Sequence, residues 1–174
     1  MSNVISAVFD DREQARSAVG ELRSSGVPED AISIVGRPDE GDLQSAGNDD
    51  DASKGSIVGA IAGGGVAGAI LGVAALAIPG VGPLAAAGAI AASAVPTAAG
   101  VGAAVGATGG AIARMLSEHD VDDEDASFYE ERIQGGGVFV SVDTRRAEGS
   151  AETAREILQR YGGQSAARSR TLAD

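Results

Sequence analysis

Apolar and polar positions divide the chain into three zones. Two outer zones, 1–37 and 121–170, set short apolar runs between charged stretches. Between them, from Gly55 to Ala113, no charged residue interrupts a run built almost wholly from Gly, Ala, Val, Ile and Leu. In the first zone, Val4-Ile5-Ser6-Ala7-Val8-Phe9 predicts a strand buried on at least one face. Asp10 predicts an N-cap, with Glu13 three positions on in capping-box spacing. The helix that follows places Ala15, Ala18, Val19 and Leu22 on one face, and Gly26 predicts its end. Pro28-Glu29-Asp30 predicts a turn and Ala31-Ile32-Ser33-Ile34-Val35 a second strand.

The third zone repeats the pattern. A short helix is predicted over 123–133, with Phe128, Tyr129 and Ile133 as its apolar residues. Gly135-Gly136-Gly137 predicts a turn, and Val138-Phe139-Val140-Ser141-Val142 is the clearest strand in the chain. Ser150 predicts the cap of a helix over 151–161, where Ala154, Ile157, Leu158 and Tyr161 share a face. Gly162-Gly163 ends it, and 165–169 can supply a weak last strand. Strand, helix, strand, insertion, strand, helix, weak strand is the βαββαβ order of a ferredoxin-like α+β domain. The apolar run would then be inserted between the second and third strands. Those two are neighbours in such a sheet, so both ends of the insertion would lie close together. The expected organisation is a discontinuous domain over 1–37 and 121–170, acidic linkers over 38–54 and 117–125, and an α-helical hairpin over 55–116.

The glycines of the insertion are spaced in fours: Gly55, Gly59 and Gly63; Gly64, Gly68 and Gly72; Gly102, Gly106 and Gly110. On a helix such residues stack on nearly one face, leaving a groove for close approach of a second backbone. Ile78-Pro79-Gly80-Val81-Gly82-Pro83 cannot continue a helix. Helices are therefore predicted over about 56–78 and 84–116, the second interrupted near Pro96, with Pro79, Gly80, Gly82 and Pro83 forming the turn. Six glycines in the first helix cost about 6 kcal/mol of propensity relative to Ala, so it needs a bilayer or a partner helix. At about 34 Å it would be long enough to cross a hydrocarbon core of about 30 Å. The second half is less apolar, with Ser93, Thr97 and Thr108, and neither half ends in Trp or Tyr to anchor it at an interface. Membrane contact through 55–116 and burial of the hairpins against one another in a soluble homo-oligomer both remain open. A free monomer would expose too much apolar surface.

Composition narrows the classes. A net charge of −12 argues against nucleic acid and against adsorption to anionic head groups. The absence of Cys excludes disulfides, thiolate metal sites and Cys nucleophiles, and fits a cytoplasmic protein. Met1–Phe9 has no basic region and is followed by Asp10 and Asp11, unlike a signal peptide. Gly63-Gly64-Gly65-Val66-Ala67-Gly68 matches the dinucleotide fingerprint GxGxxG. No acidic residue follows about 20 positions on, so close helix packing explains the glycines better. Asp49-Asp50-Asp51 lacks calcium-loop spacing. His119 stands among Glu118, Asp120, Asp122 and Asp123, but one His with solvated carboxylates is a poor metal site. No nucleophile, base or cofactor constellation emerges, so no catalytic, cofactor or metal residue is expected.

The chain resembles the bacterial heat-induced or general stress proteins with a YflT-like domain. The resemblance rests on Ala7-Val8-Phe9-Asp10-Asp11 with Ile32-Ser33-Ile34-Val35, on Ile78–Gly88, and on Phe128-Tyr129-Glu130-Glu131 with Gly135–Val142. It implies a role in general stress response and no established reaction, cofactor or catalytic residue. The expected function is a non-enzymatic stress protein whose glycine-zipper hairpin mediates self-association and contact with the cytoplasmic membrane. Alternatives are a soluble homo-oligomer with the hairpins in a common core, or a small-molecule-sensing ferredoxin-like module, though no particular small molecule is indicated.

Overall fold

A computed structural model describes residues 3–37, 74–78, 82–88, 90, 110–147 and 149–167. In chain order they form β1 (Val4–Phe9), α1 (Arg12–Ser24), a 3-10 turn (Glu29–Ala31), β2 (Ile32–Gly36), β3 (Ala74–Ile78), β4 (Gly82–Ala87), α2 (Ala111–Ser117), α3 (Asp123–Gln134), β5 (Val138–Asp143) and α4 (Ala151–Arg160). The core is an antiparallel three-stranded sheet in which β5 runs between β1 and β2. β4 and then β3 extend it on the β2 side, giving the order β1-β5-β2-β4-β3.

The period-2 pattern sorts side chains to two faces. Ala7, Phe9, Ile32, Ile34, Val138, Val140 and Val142 pack under α1 and α4, against Ala15, Ala18, Val19, Leu22, Ala154, Ile157 and Leu158. Val8, Val35 and Phe139 point the other way, against Tyr129 and Ile133 of α3 and Ile112 and Leu116 of α2. Helices therefore cover both faces. This explains why β2 and β5 are buried along almost their whole length, as strands sandwiched between helix layers are. It also buries Ser33 and Ser141, which pair across β2 and β5.

Several local expectations shift. The N-cap of α1 is Asp11, whose Oδ1 accepts from the Glu13 N–H at 2.7 Å. Asp10 is instead taken by Arg132 (3.1 Å) and Gln164 (2.8 Å). Ser150 precedes α4 without capping it through its side chain. In place of a strand over 165–169, Gln164 makes an isolated antiparallel bridge to Val8, and Ala166–Ala167 turn helical. The expected acidic linker at 117–125 is a tight turn between α2 and α3. There Val121 is buried, its N–H bonded to the Leu116 carbonyl, and Asp120 has a positive φ of 62°.

The largest correction concerns the insertion. Helix was expected through residue 78 and again from 84, but Ala74–Ile78 and Gly82–Ala87 are paired antiparallel strands, joined in register from Ile78↔Gly82 to Ala74↔Ala86. The turn was expected at Pro79, Gly80, Gly82 and Pro83. Gly82 and Pro83 belong to β4 itself, while Pro79 and Gly80 lie outside the described residues. The physical reason is tertiary. β2 would otherwise present an unpaired edge, and β4 satisfies it through Ile34↔Ala87, Val35↔Ala86 and Gly36↔Ala85. Pro83 precedes that ladder, so its missing donor does not interrupt it. Among the described residues no helix is long and apolar enough to cross a membrane.

Candidate functional site: the roots of the insertion

Of the glycines expected to pack helices, Gly55, Gly59, Gly63, Gly64, Gly68, Gly72, Gly102 and Gly106 lie outside the described residues. Gly110 is described. It stands at the N-cap of α2 with φ +92°, a conformation costly for other residues. Its N–H donates at 3.0 Å to Oε1 of Glu130, which also accepts from Gln134 Nε2 at 3.2 Å. Glu130 is 8 % exposed, on the buried stripe Ala126, Tyr129, Glu130, Ile133 of α3. A buried carboxylate needs such donors, because leaving it unmatched is expensive. This bond fixes the point where the insertion rejoins the domain.

A second anchor, midway along the run, is β4. Leu84 and Ala86 are buried in the same cluster as Val8, Val35 and Phe139, and Ile90 joins them. Gly88 permits the close approach to β2. Its φ is +88°, and a Cβ there would lie 2.1 Å from the Ile32 carbonyl oxygen and 2.8 Å from Ser33 Cα. The middle of the apolar run, at β4 and Ile90, and its C-terminal end, at Gly110, are thus structural parts of the frame.

At the opposite edge of the sheet, β1 is closed by other means. Gln164 and Val8 exchange backbone hydrogen bonds of 2.9 and 2.8 Å. The buried Tyr129 hydroxyl donates to the Ser6 carbonyl (3.1 Å) and accepts from the Ala166 N–H (3.2 Å) and Ser6 Oγ (3.1 Å). Its ring stacks edge-on against Phe139 at 4.9 Å and Phe128 at 5.4 Å. Beside this tie, between the start of α3 and the outer face of α4, lies a partly open cavity of about 170 Å³.

Two ionisable features are notable. Asp143 at the end of β5 is held below the usual aspartate range, chiefly by the Arg145 side chain. Arg145 meets it at 3.1 Å through both Nε and NH2, and reaches Asp120 at 2.7 Å. His119, in the α2–α3 turn, is lowered by burial in spite of Glu118 and Asp120 beside it. Among the described residues no three His, Cys, Asp or Glu side chains group as a metal site.

Sequence reasoning missed Glu130, Gly88 and the Tyr129 tie. Glu130 was open to detection, since it stands at i+4 from Ala126 on an otherwise apolar stripe. The Tyr129 bonds join positions 37 and 123 apart in sequence and leave no local signal. No protein-family model matches the chain, and no curated protein or solved structure matches it either.

Proposed function

We propose that this is a non-enzymatic general stress-response protein, of the heat-induced type that its sequence resembles. In this reading a ferredoxin-like frame carries a Gly/Ala-rich insertion that associates chains with one another. The frame part is supported by strand order. With the Gln164 segment beside β1, the order Gln164–β1–β5–β2 is the 4-1-3-2 arrangement of a βαββαβ sheet, with α1 and α4 on one face. The observation that carries the functional part is the charge-free run 55–113 together with its two anchors. β4, midway along the run, is hydrogen-bonded into the sheet and Gly110, near its C-terminal end, is bonded to Glu130, so a long apolar segment is anchored to one domain at two points. Such a segment is a liability in a lone chain and a seam in an assembly.

Contact with the cytoplasmic face of a membrane is the second reading, favoured by the same absence of charge. The strands at 74–78 and 82–87 weigh against its simplest form, a helix spanning from 56 to 78. The small-molecule-sensing alternative, in the form of a ligand held on an open sheet face between subunits, loses ground because α2 and α3 occupy that face.

The test uses Gly68→Leu and Gly106→Leu in the full chain, sized without detergent, with the membrane fraction washed at high pH. Smaller particles from either variant support self-association. Assembly identical to the parent in both removes it, and retention of the parent in washed membranes transfers the insertion to the bilayer.

A further inference from the structure

The two edges of the sheet differ. At β1, Val8 and Gln164 exchange backbone hydrogen bonds and the Ser6 carbonyl accepts from Tyr129, which closes that edge to a further strand. At the other edge, β3 pairs with β4 on one side, and among the described residues none pairs with its outer side. An edge strand carries a row of backbone donors and acceptors that match those of another extended chain. Native edges are commonly guarded by Lys, by inward-pointing charges or by Pro within the strand. Ala74-Ala75-Leu76-Ala77-Ile78 has none of these, and no charge occurs anywhere from Gly55 to Ala113.

We propose that β3 pairs antiparallel with β3 of a second copy of this chain, on a two-fold axis at Leu76, making the two sheets one. The inference rests on the self-association reading and names its seam. Charge selects the occupant. A charged partner finds no counter-charge on this strand, whereas two copies, each of net charge −12, bring no like charges opposite one another here. Geometry selects the symmetry. The closed β1 edge blocks joining of β1 to β3, which would run on head to tail as a filament, while two like edges close as a pair. Every described ladder of the sheet is antiparallel, and an antiparallel partner continues it with the more stable pairing. With the axis at Leu76 the whole strand is paired: Leu76 meets its own copy and Ala74 meets Ile78. This contact joins chains two at a time, and a heavier particle needs further contacts along the same uncharged run.

The chain has no Cys, so introduced cysteines report the seam alone. In Leu76→Cys the facing α-carbons would lie about 4.5–5.5 Å apart, inside the disulfide range of about 4.4–6.8 Å. Mild oxidation of the full chain should therefore give a covalent dimer. Ala74→Cys co-expressed with Ile78→Cys should give the same dimer, and it serves if Leu76→Cys fails to fold. Each of these two alone should give none, because like positions are then about 14 Å apart. Sedimentation of the parent chain reads assembly independently. An assembled parent with no cross-link in Leu76→Cys or in the co-expressed pair overturns the β3 seam and leaves self-association standing. A monomeric parent overturns both. Equal cross-linking by Ala74→Cys alone overturns the register, and with it the pairing of edge to edge.

Discussion

Replacing Tyr129 with Phe deletes one oxygen and leaves the ring contacts with Phe128 and Phe139 in place, so it isolates the tie across the β1 edge. That oxygen serves three groups: the Ser6 carbonyl, the Ser6 hydroxyl and the Ala166 N–H. The two Ser6 groups are partly exposed and regain water. Ala166 is 2 % exposed, so its N–H is left buried without this partner. A stranded buried donor costs about 1–3 kcal/mol, beyond the modest net value of the bond itself, so Tyr129→Phe should cost about 2 kcal/mol. For a chain of this size that corresponds to about 4–8 °C in Tm. Urea unfolding at one fixed protein concentration reads the difference without mixing in assembly. Amide exchange should also rise at Val8 and Gln164, because the tie lies beside their bridge. A loss below about 0.5 kcal/mol, within the range of an ordinary surface change, with unchanged exchange at both amides, would refute the reasoning.

Three further outcomes follow from the same geometry. Leu84→Ala should cost about 2–5 kcal/mol, as for a fully buried leucine, because Leu84 of β4 is buried with Val8 and Phe139; a cost near zero in urea unfolding would detach the hairpin from the core. Gly88→Ala should destabilise the β2–β4 ladder, since its Cβ would meet the Ile32 carbonyl oxygen at 2.1 Å; unchanged amide protection at Ala85 and Ala87 would contradict the pairing. Acid should weaken the fold in two stages. His119 has a lowered folded pKa, so the unfolded chain binds its proton first and stability falls as pH drops below about 6.5. Asp143 is also lowered, so its contribution is full above about pH 4 and is lost as pH falls through its folded value. His119→Gln should flatten the first stage and Asp143→Asn the second, read from Tm against pH.

The frame was legible because its signals are local. Ala15, Ala18, Val19 and Leu22 recur at helical spacing and are the buried residues of α1, and the strands at 4–9, 32–36 and 138–143 read directly from their apolar runs. What was not legible came from distant partners. Asp10 has the right chemistry for a cap, but Arg132 and Gln164, distant in sequence, claim its carboxylate, and Asp11 caps instead. The segment 74–87 is poorer in signal. Ala and Gly carry little periodicity, and Ala favours helix by only tenths of a kcal/mol per residue over most others. The demand of β2 for an edge partner outweighs that preference. The proline and glycine positions marked a break in the chain, but the elements expected as helices on either side of it are the strands Ala74–Ile78 and Gly82–Ala87.

The central claim is that an uncharged segment rooted in a small α+β frame joins chains together. Sedimentation velocity of the full chain, purified without detergent, tests it most directly. The account predicts a discrete species several times heavier than the 17.1 kDa chain. A stable 17.1 kDa monomer that stays soluble across a wide concentration range would contradict it.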